Sequence, residues 1–310
     1  MTSAAASLLA SAKAPQPVIP VNFDVPAHAC DCHTHILGDP RKFRFSPDRR
    51  YTPETALPVE MAALHRTLHM ERVVIVTPSV YGTDNSATLY GMKARGSSAR
   101  GIAVIDERTT SRDLDAMGNA GIRGIRLNLA TSGINDPRAA RERFQSAVAR
   151  MKSRGWHIQI YTNLAVVAAI KELVLDSSVP IVFDHFGGAE ASRGLAQPGF
   201  PDLIELVKSG KAYVKVSGAN RASVMGPAYS DVAPLAKALI AANPERVLWG
   251  TDWPHTGSAP SVEQALGPVI PFLPIDDARL LNELALWCPA QATLKKVLVD
   301  NPAKLYDFQA

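Results

Sequence analysis

Eight short apolar segments recur along the 310-residue chain, each followed by a stretch with helical spacing. This alternation restricts the fold more than any single motif does. The strand-like segments are Ala29–His35, Arg72–Thr77, Gly101–Ile105, Gly124–Asn128, His157–Tyr161, Pro180–His185, Ala212–Ser217 and Arg246–Asp252. Several of them, such as Val73-Val74-Ile75-Val76, are apolar without alternation, the pattern of a strand covered on both faces. Between them lie helical patterns over about Val59–Arg72, Asp84–Ala94, Ser111–Ala120, Asp136–Arg154, Ala165–Leu175, Asp202–Lys208 and Ser230–Ala242, then a helical tail from Asp276 to Tyr306. No Gly-rich dinucleotide fingerprint follows any strand. The expectation is therefore an α/β chain forming a (β/α)8 TIM barrel with C-terminal helices, and an open doubly wound sheet is the alternative.

One domain over residues 26–310 accounts for the whole pattern. No linker or low-complexity block divides it. Residues 1–25 are rich in Ala, Ser and Pro, lack a basic leader region, and read as a flexible arm and not as a signal peptide. The net charge of +4 is small and dispersed, which gives no reason to expect a nucleic-acid partner. No apolar run reaches membrane-spanning length. Cys30, Cys32 and Cys288 are an odd number in a long chain, which reads as buried free thiols in a reducing, cytoplasmic compartment. The chain is expected to be a monomer or a homo-oligomer.

In a TIM barrel the chemistry lies where the strands end. The first strand ends in His33 and His35, two histidines at i and i+2 that share a face. The second is followed by Ser79 and Tyr81, and the fourth carries Arg126 near its end. The fifth ends in Tyr161, the sixth in Asp184-His185, the seventh near Lys215 and Ser217, and the eighth in Asp252. Alternation along the sixth strand turns Asp184 away from the site if His185 faces in. His65, His69 and His157 read as packing or surface residues, and His255 as a group behind the site. The long polar loop from Gly38 to Pro58 is expected to close over the mouth.

The motifs Asp31-x-His33-x-His35, Asp184-His185-x-Gly187 and Trp249-Gly250-Thr251-Asp252-Trp253-Pro254-His255 resemble the amidohydrolase superfamily. The branch with 2-pyrone-4,6-dicarboxylate lactonase and related sugar-lactone and sulfomuconolactone enzymes is the most similar. Phe45-Ser46-Pro47, Tyr51-x-Pro53, Gly82-Thr83-Asp84-Asn85, Gly121-x-Arg123-Gly124-Ile125-Arg126 and Asn301-Pro302 extend the likeness from about Pro26 to Tyr306. The resemblance implies a hydrolase that opens a small anionic lactone in the catabolism of aromatic- or sugar-derived acids. It implies Asp252 as the base toward water, with His33, His35 and His185 polarising the carbonyl directly or through one divalent metal, Zn²⁺ by expectation. That metal would rest on His33, His35, His185 and Asp252. Arg126 and Arg221 would bind the substrate's anionic group, and Tyr51, Ser79 and Tyr161 would add hydrogen bonds.

The sequence also departs from that pattern. The lactonase pattern has an arginine after the fourth strand where this chain has Ala130-Thr131-Ser132-Gly133. It has another after the sixth-strand histidine and glycine, where this chain has Gly188. A histidine of the pattern is replaced by Tyr81. The expectation is a substrate with fewer negative charges, or with charges placed elsewhere, than pyrone dicarboxylate. A two-metal centre is not expected, since Arg126 and Tyr161 stand where binuclear relatives use lysine and histidine. A decarboxylase or a lactone isomerase built on the same residues is the alternative activity, and a silent barrel that only binds a small acid is the alternative outside enzymes.

Overall fold

A computed structural model describes residues 14–131, 133, 136–257 and 267–309. Eight parallel strands pair in strict sequence order. They are β1 (Cys30–Thr34), β2 (Arg72–Val76), β3 (Ala99–Ala103), β4 (Ile122–Asn128), β5 (His157–Tyr161), β6 (Ile181–Phe183), β7 (Ala212–Ser217) and β8 (Val247–Gly250). The ring closes just past β8, where Asp252 N donates to His33 O at 2.8 Å and His35 N to Trp253 O at 2.9 Å. An open sheet has no such contact between its first and last strands, so the barrel reading holds and the doubly wound alternative fails.

The outer layer comprises α1 (Pro58–Thr67), α2 (Ser86–Arg95), α3 (Ser111–Asn119), α4 (Pro137–Met151), α5 (Leu164–Leu175), α6 (Phe200–Lys208), the one-turn α7 (Ala219–Ala222) and α8 (Ala233–Ala242). Local chemistry starts several of them. Thr110 and Asp113 bond reciprocally across the first turn of α3, and Asn163 accepts from Val166 N at the start of α5. The C-terminal helices α9 (Asp277–Trp287), α10 (Gln291–Lys295) and α11 (Asn301–Tyr306) follow. Asn301 Nδ2 donates to the carbonyls of Pro244 and Val247, each at 2.8 Å, which locks this tail to the start of β8.

The apolar core has two parts. One lies between strands and helices. The other fills the lower barrel with Cys30, Cys32, Val74, Ile102, Val182 and Leu248, and Tyr306 and Phe308 close its base. The three cysteines are free and buried. Of the stretch read as an arm, residues 1–13 lie outside the described residues. The rest runs along the barrel. Trp253 Nε1 donates to Pro15 O at 2.8 Å, and the amides of Val18 and Ile19 donate to Asp276 Oδ2 at 2.9 and 3.2 Å.

Candidate active site

The site is built around an irregularity in β1. The pairing of β1 with β2 shifts register between Asp31 and Thr34. Cys32 belongs to the lower barrel interior, yet the next residue, His33, also reaches inward, to Lys215. A bulge of this kind re-aims side chains beside functional sites. Asp31 points outward and braces the seam. Its Oδ1 accepts from His33 N at 3.1 Å and Thr251 N at 3.0 Å, and its Oδ2 from Thr251 Oγ1 at 2.7 Å. His65 Nε2, from α1, lies 3.2 Å from the same Oδ2. Gly250 allows the two strands to approach, because a Cβ there would sit 2.6 Å from His33 N. One buried carboxylate thus joins the strand that carries both histidines to the strand that carries Asp252.

Asp252 sits just past β8 in the left-handed region, φ 67°, which aspartate tolerates better than most residues. Its Oδ1 faces three imidazoles, with His35 Nε2 at 3.4 Å, His33 Nε2 at 3.6 Å and His185 Nε2 at 3.7 Å. Its Oδ2 accepts from Arg221 Nε at 2.6 Å. Burial alone would raise the Asp252 carboxyl, but the Arg221 guanidinium beside it holds it well below the usual range and keeps it ionised. Burial pushes His33 well down and His185 to about 4, so both rings are neutral at pH 7. The second nitrogens are fixed from behind. His35 Nδ1 lies 2.8 Å from Val76 O, and His185 Nδ1 lies 3.0 Å from Ser217 Oγ.

Beneath these rings lies a buried layer of charge. Asp184 Oδ2 accepts from Arg126 Nε at 3.1 Å and Gln159 Nε2 at 3.0 Å. Asp184 Oδ1 lies 3.3 Å from His33 Nδ1 and 3.4 Å from Lys215 Nζ. Lys215, with 0% of its surface exposed, also donates to Gln159 Oε1 at 2.7 Å. Burial raises Asp184, but His33, Lys215 and Arg126 more than reverse this, while burial pushes the Lys215 ammonium down. The expectation that Asp184 turns away is therefore corrected. β6 ends at Phe183, and the chain turns at once through positive φ at His185 (48°) and Phe186 (56°). Strand alternation does not extend to Asp184 and His185, and both face inward.

A cavity of about 520 Å³ opens above, and all but one of the expected site residues line it: Tyr51, Ser79, Arg126, Tyr161, His185, Arg221, Asp252 and His35. His33 lies just below, reached through Asp252, and Asp184 below that. The Tyr51 hydroxyl hydrogen-bonds Thr256 and Ser79. The Tyr161 ring lies between two guanidiniums, with Arg126 Cζ 5.4 Å and Arg221 Cζ 6.0 Å from its centroid. Sequence reasoning did not single out Arg50, Asn220 and Thr256, which also line the cavity, nor Gln159 and the part played by Lys215. A lysine inside Ala-Tyr-Val-Lys-Val-Ser and a glutamine inside His-Ile-Gln-Ile-Tyr are polar residues in buried strands, and that was the available signal. The loop after β1 walls the mouth, held by Gly38 N donating to Tyr81 Oη at 2.9 Å and Ser46 N to Val80 O at 2.7 Å. His255 lies behind the site with Nε2 3.0 Å from Asp277 Oδ1, His65 braces Asp31, His157 is buried against Tyr306, and His69 is exposed.

The donor set suits a cation. His33, His35 and Asp252 present ligand atoms within 4.8 Å of one another, and so do His33, Asp184 and His185. The carbonyl of Val76 can only accept, so His35 carries a proton on Nδ1, and its Nε2 faces Asp252 Oδ1. His33 Nε2 and Asp252 Oδ1 are buried with no hydrogen-bond partner among the described residues. Buried atoms left without partners call for an explanation, an ion being one. Imidazoles held from behind by a carboxylate or a carbonyl are also the usual support of metal ligands.

The fold and this site define a (β/α)8 barrel whose histidine and aspartate side chains converge at the C-terminal ends of its strands. A sequence model of the amidohydrolase family matches residues 30–308, and the chain belongs to that family. It is similar to a 4-sulfomuconolactone hydrolase from Rhizobium radiobacter, with 33% identity over 290 residues covering 93% of this chain and 92% of the relative. It is also similar to a 2-pyrone-4,6-dicarboxylate hydrolase from Comamonas testosteroni, with 30% identity over 293 residues and 92% of each chain covered. Among solved structures, one described as a putative 2-pyrone-4,6-dicarboxylic acid hydrolase from Pseudomonas putida superimposes with a TM-score of 0.73. It has 29% identity to this chain, and the match covers 93% of this chain and all of that one.

Proposed function

We propose that the protein hydrolyses a small anionic lactone at the cavity above Asp252. The observation that carries this reading is the Asp252 cluster, in which an ionised carboxylate keeps one oxygen on Arg221 and turns the other toward three imidazoles. The free oxygen takes a proton from water. The water oxygen adds to the lactone carbonyl, the ring C–O bond breaks, and the proton returns to the departing oxygen, giving a hydroxy acid. His35 and His185 line the cavity where the carbonyl would lie, and Arg126, Arg221, Tyr51, Ser79 and Tyr161 would orient the ring. Both named relatives are lactone hydrolases by description, which supports the class. The substrate is expected to differ from pyrone dicarboxylate. Gly188 stands where that pattern has an arginine, with φ 79° and a Cβ position 2.3 Å from Thr162 O, so this backbone admits no side chain there.

Arg221 holds Asp252 below the usual carboxylate range, so the carboxylate stays ionised and able to accept the proton. A divalent ion, by expectation zinc, on His33, His35 and Asp252 beside His185 would acidify the water and polarise the carbonyl. The test is proton release at neutral pH from neutral sugar lactones, muconolactones, sulfonated muconolactones and pyrone dicarboxylate. Acid release from an anionic lactone, lost in Asp252→Asn, supports the reading. Turnover unchanged in Asp252→Asn would refute the mechanism. Carbon dioxide release, or ring rearrangement without acid, would reassign the reaction to the decarboxylase or isomerase class.

A further inference from the structure

Three arginines line the cavity, and they are not equally free. Arg126 uses Nε and Nη2 on one oxygen of Asp184, each at 3.1 Å. Arg221 is committed through Nε to Asp252. Arg50, in the loop after β1, forms no ion pair among the described residues and keeps its whole guanidinium fork available. Lys215, Arg126 and Arg221 face the carboxylates Asp184 and Asp252, which leaves one positive charge around the site, and Arg50 makes it two. Arg50 also marks a boundary. It lines both this cavity and a neighbouring one of about 840 Å³, as do Ser79, Arg126 and Thr131. The neighbouring cavity sets four carboxylates, Asp48, Asp106, Glu107 and Glu142, among its arginines, so its excess of positive charge is smaller.

We propose that Arg50 is the residue that reads the substrate's anionic group. Arg126 and Arg221 then serve mainly to hold Asp184 and Asp252 and to orient the ring. This rests on the lactone reading above and narrows its substrate class. The acidic group stands on an exocyclic arm, away from the scissile carbonyl, and meets Arg50 where the two cavities join. A planar guanidinium with all its donors free matches a carboxylate or sulfonate.

The test uses a matched pair, a butenolide carrying a carboxymethyl arm and its primary amide, with the full-length protein. In Arg50→Gln, KM for the acid rises roughly tenfold to a hundredfold while kcat stays within about twofold, and the kinetics of the neutral amide do not change. Arg50→Lys, which keeps the charge without the fork, recovers part of the loss. Unchanged KM for the acid in Arg50→Gln overturns the proposal. So does an equal loss on acid and amide, which would make Arg50 a loop anchor. If the wild-type protein turns over neither compound, the wider lactone panel decides the lactone reading, and calorimetry with glutarate still decides the role of Arg50. Weaker glutarate binding by Arg50→Gln than by wild type supports it, whereas equal binding, or no binding by wild type, overturns it.

Discussion

Removing the Asp31 carboxylate should unfasten the site from the strand behind it. In Asp31→Ala, four buried donors lose their acceptor: His33 N, Thr251 N, Thr251 Oγ1 and His65 Nε2. The threonine hydroxyl has a substitute in His33 O, 3.4 Å away, so three donors are stranded. At about 1–3 kcal/mol for each buried unsatisfied group, the expected loss is about 3–9 kcal/mol, a large share of the ~5–15 kcal/mol typical of a folded domain. Asp31→Asn keeps an acceptor for both backbone amides. It faces the threonine hydroxyl and His65, which can rotate or change tautomer to accept, so a loss of about 1–2 kcal/mol is expected. Urea unfolding at constant m-value measures both. The second readout is kcat at a temperature where the variants stay folded. It should fall, because the brace fixes His33 relative to Asp252. A midpoint unchanged in Asp31→Ala would refute the stability argument. A large stability loss with full kcat would refute the claim that the brace aligns the site.

Further outcomes follow from the same geometry. In the metal-free protein, the His185 ring should stay neutral from pH 8 to about pH 5 by NMR, because burial lowers it to about 4. The unfolded chain takes up that proton near 6.5 and the folded one only near 4. Stability therefore falls as pH drops through this window, by up to about 3 kcal/mol for this residue, and a ring that titrates near 6.5 in the folded protein would contradict the assignment. Asp184→Asn should weaken zinc binding roughly tenfold to a hundredfold by calorimetry, since it removes the carboxylate behind His33, and unchanged affinity would argue against His33 as a ligand. Gly188→Ala combines positive φ with a backbone clash and should cost about 2 kcal/mol or more in urea unfolding, and a neutral result would mean that the turn after β6 relaxes easily.

Strand and helix periodicity made the barrel legible, because a parallel strand covered on both faces must be apolar throughout. The same rule hid the floor of the site. Lys215 and Gln159 sit in strands otherwise read as plain core, and only the structure shows that they share Asp184 beneath His33. Alternation also misled at Asp184, because it holds only while the chain stays extended and β6 stops one residue earlier. At β1 the sequence shows an i, i+2 histidine pair but not the bulge that lets Cys32 and His33 both turn inward, since a bulge depends on the partner strand. Arg50 was overlooked for a further reason. A lone arginine in a polar loop gains meaning only when the other arginines near it are seen to be already bound to carboxylates. Residues that act singly at strand ends can thus be read from spacing, whereas residues whose role lies in charge balance need the three-dimensional arrangement of every charge around them.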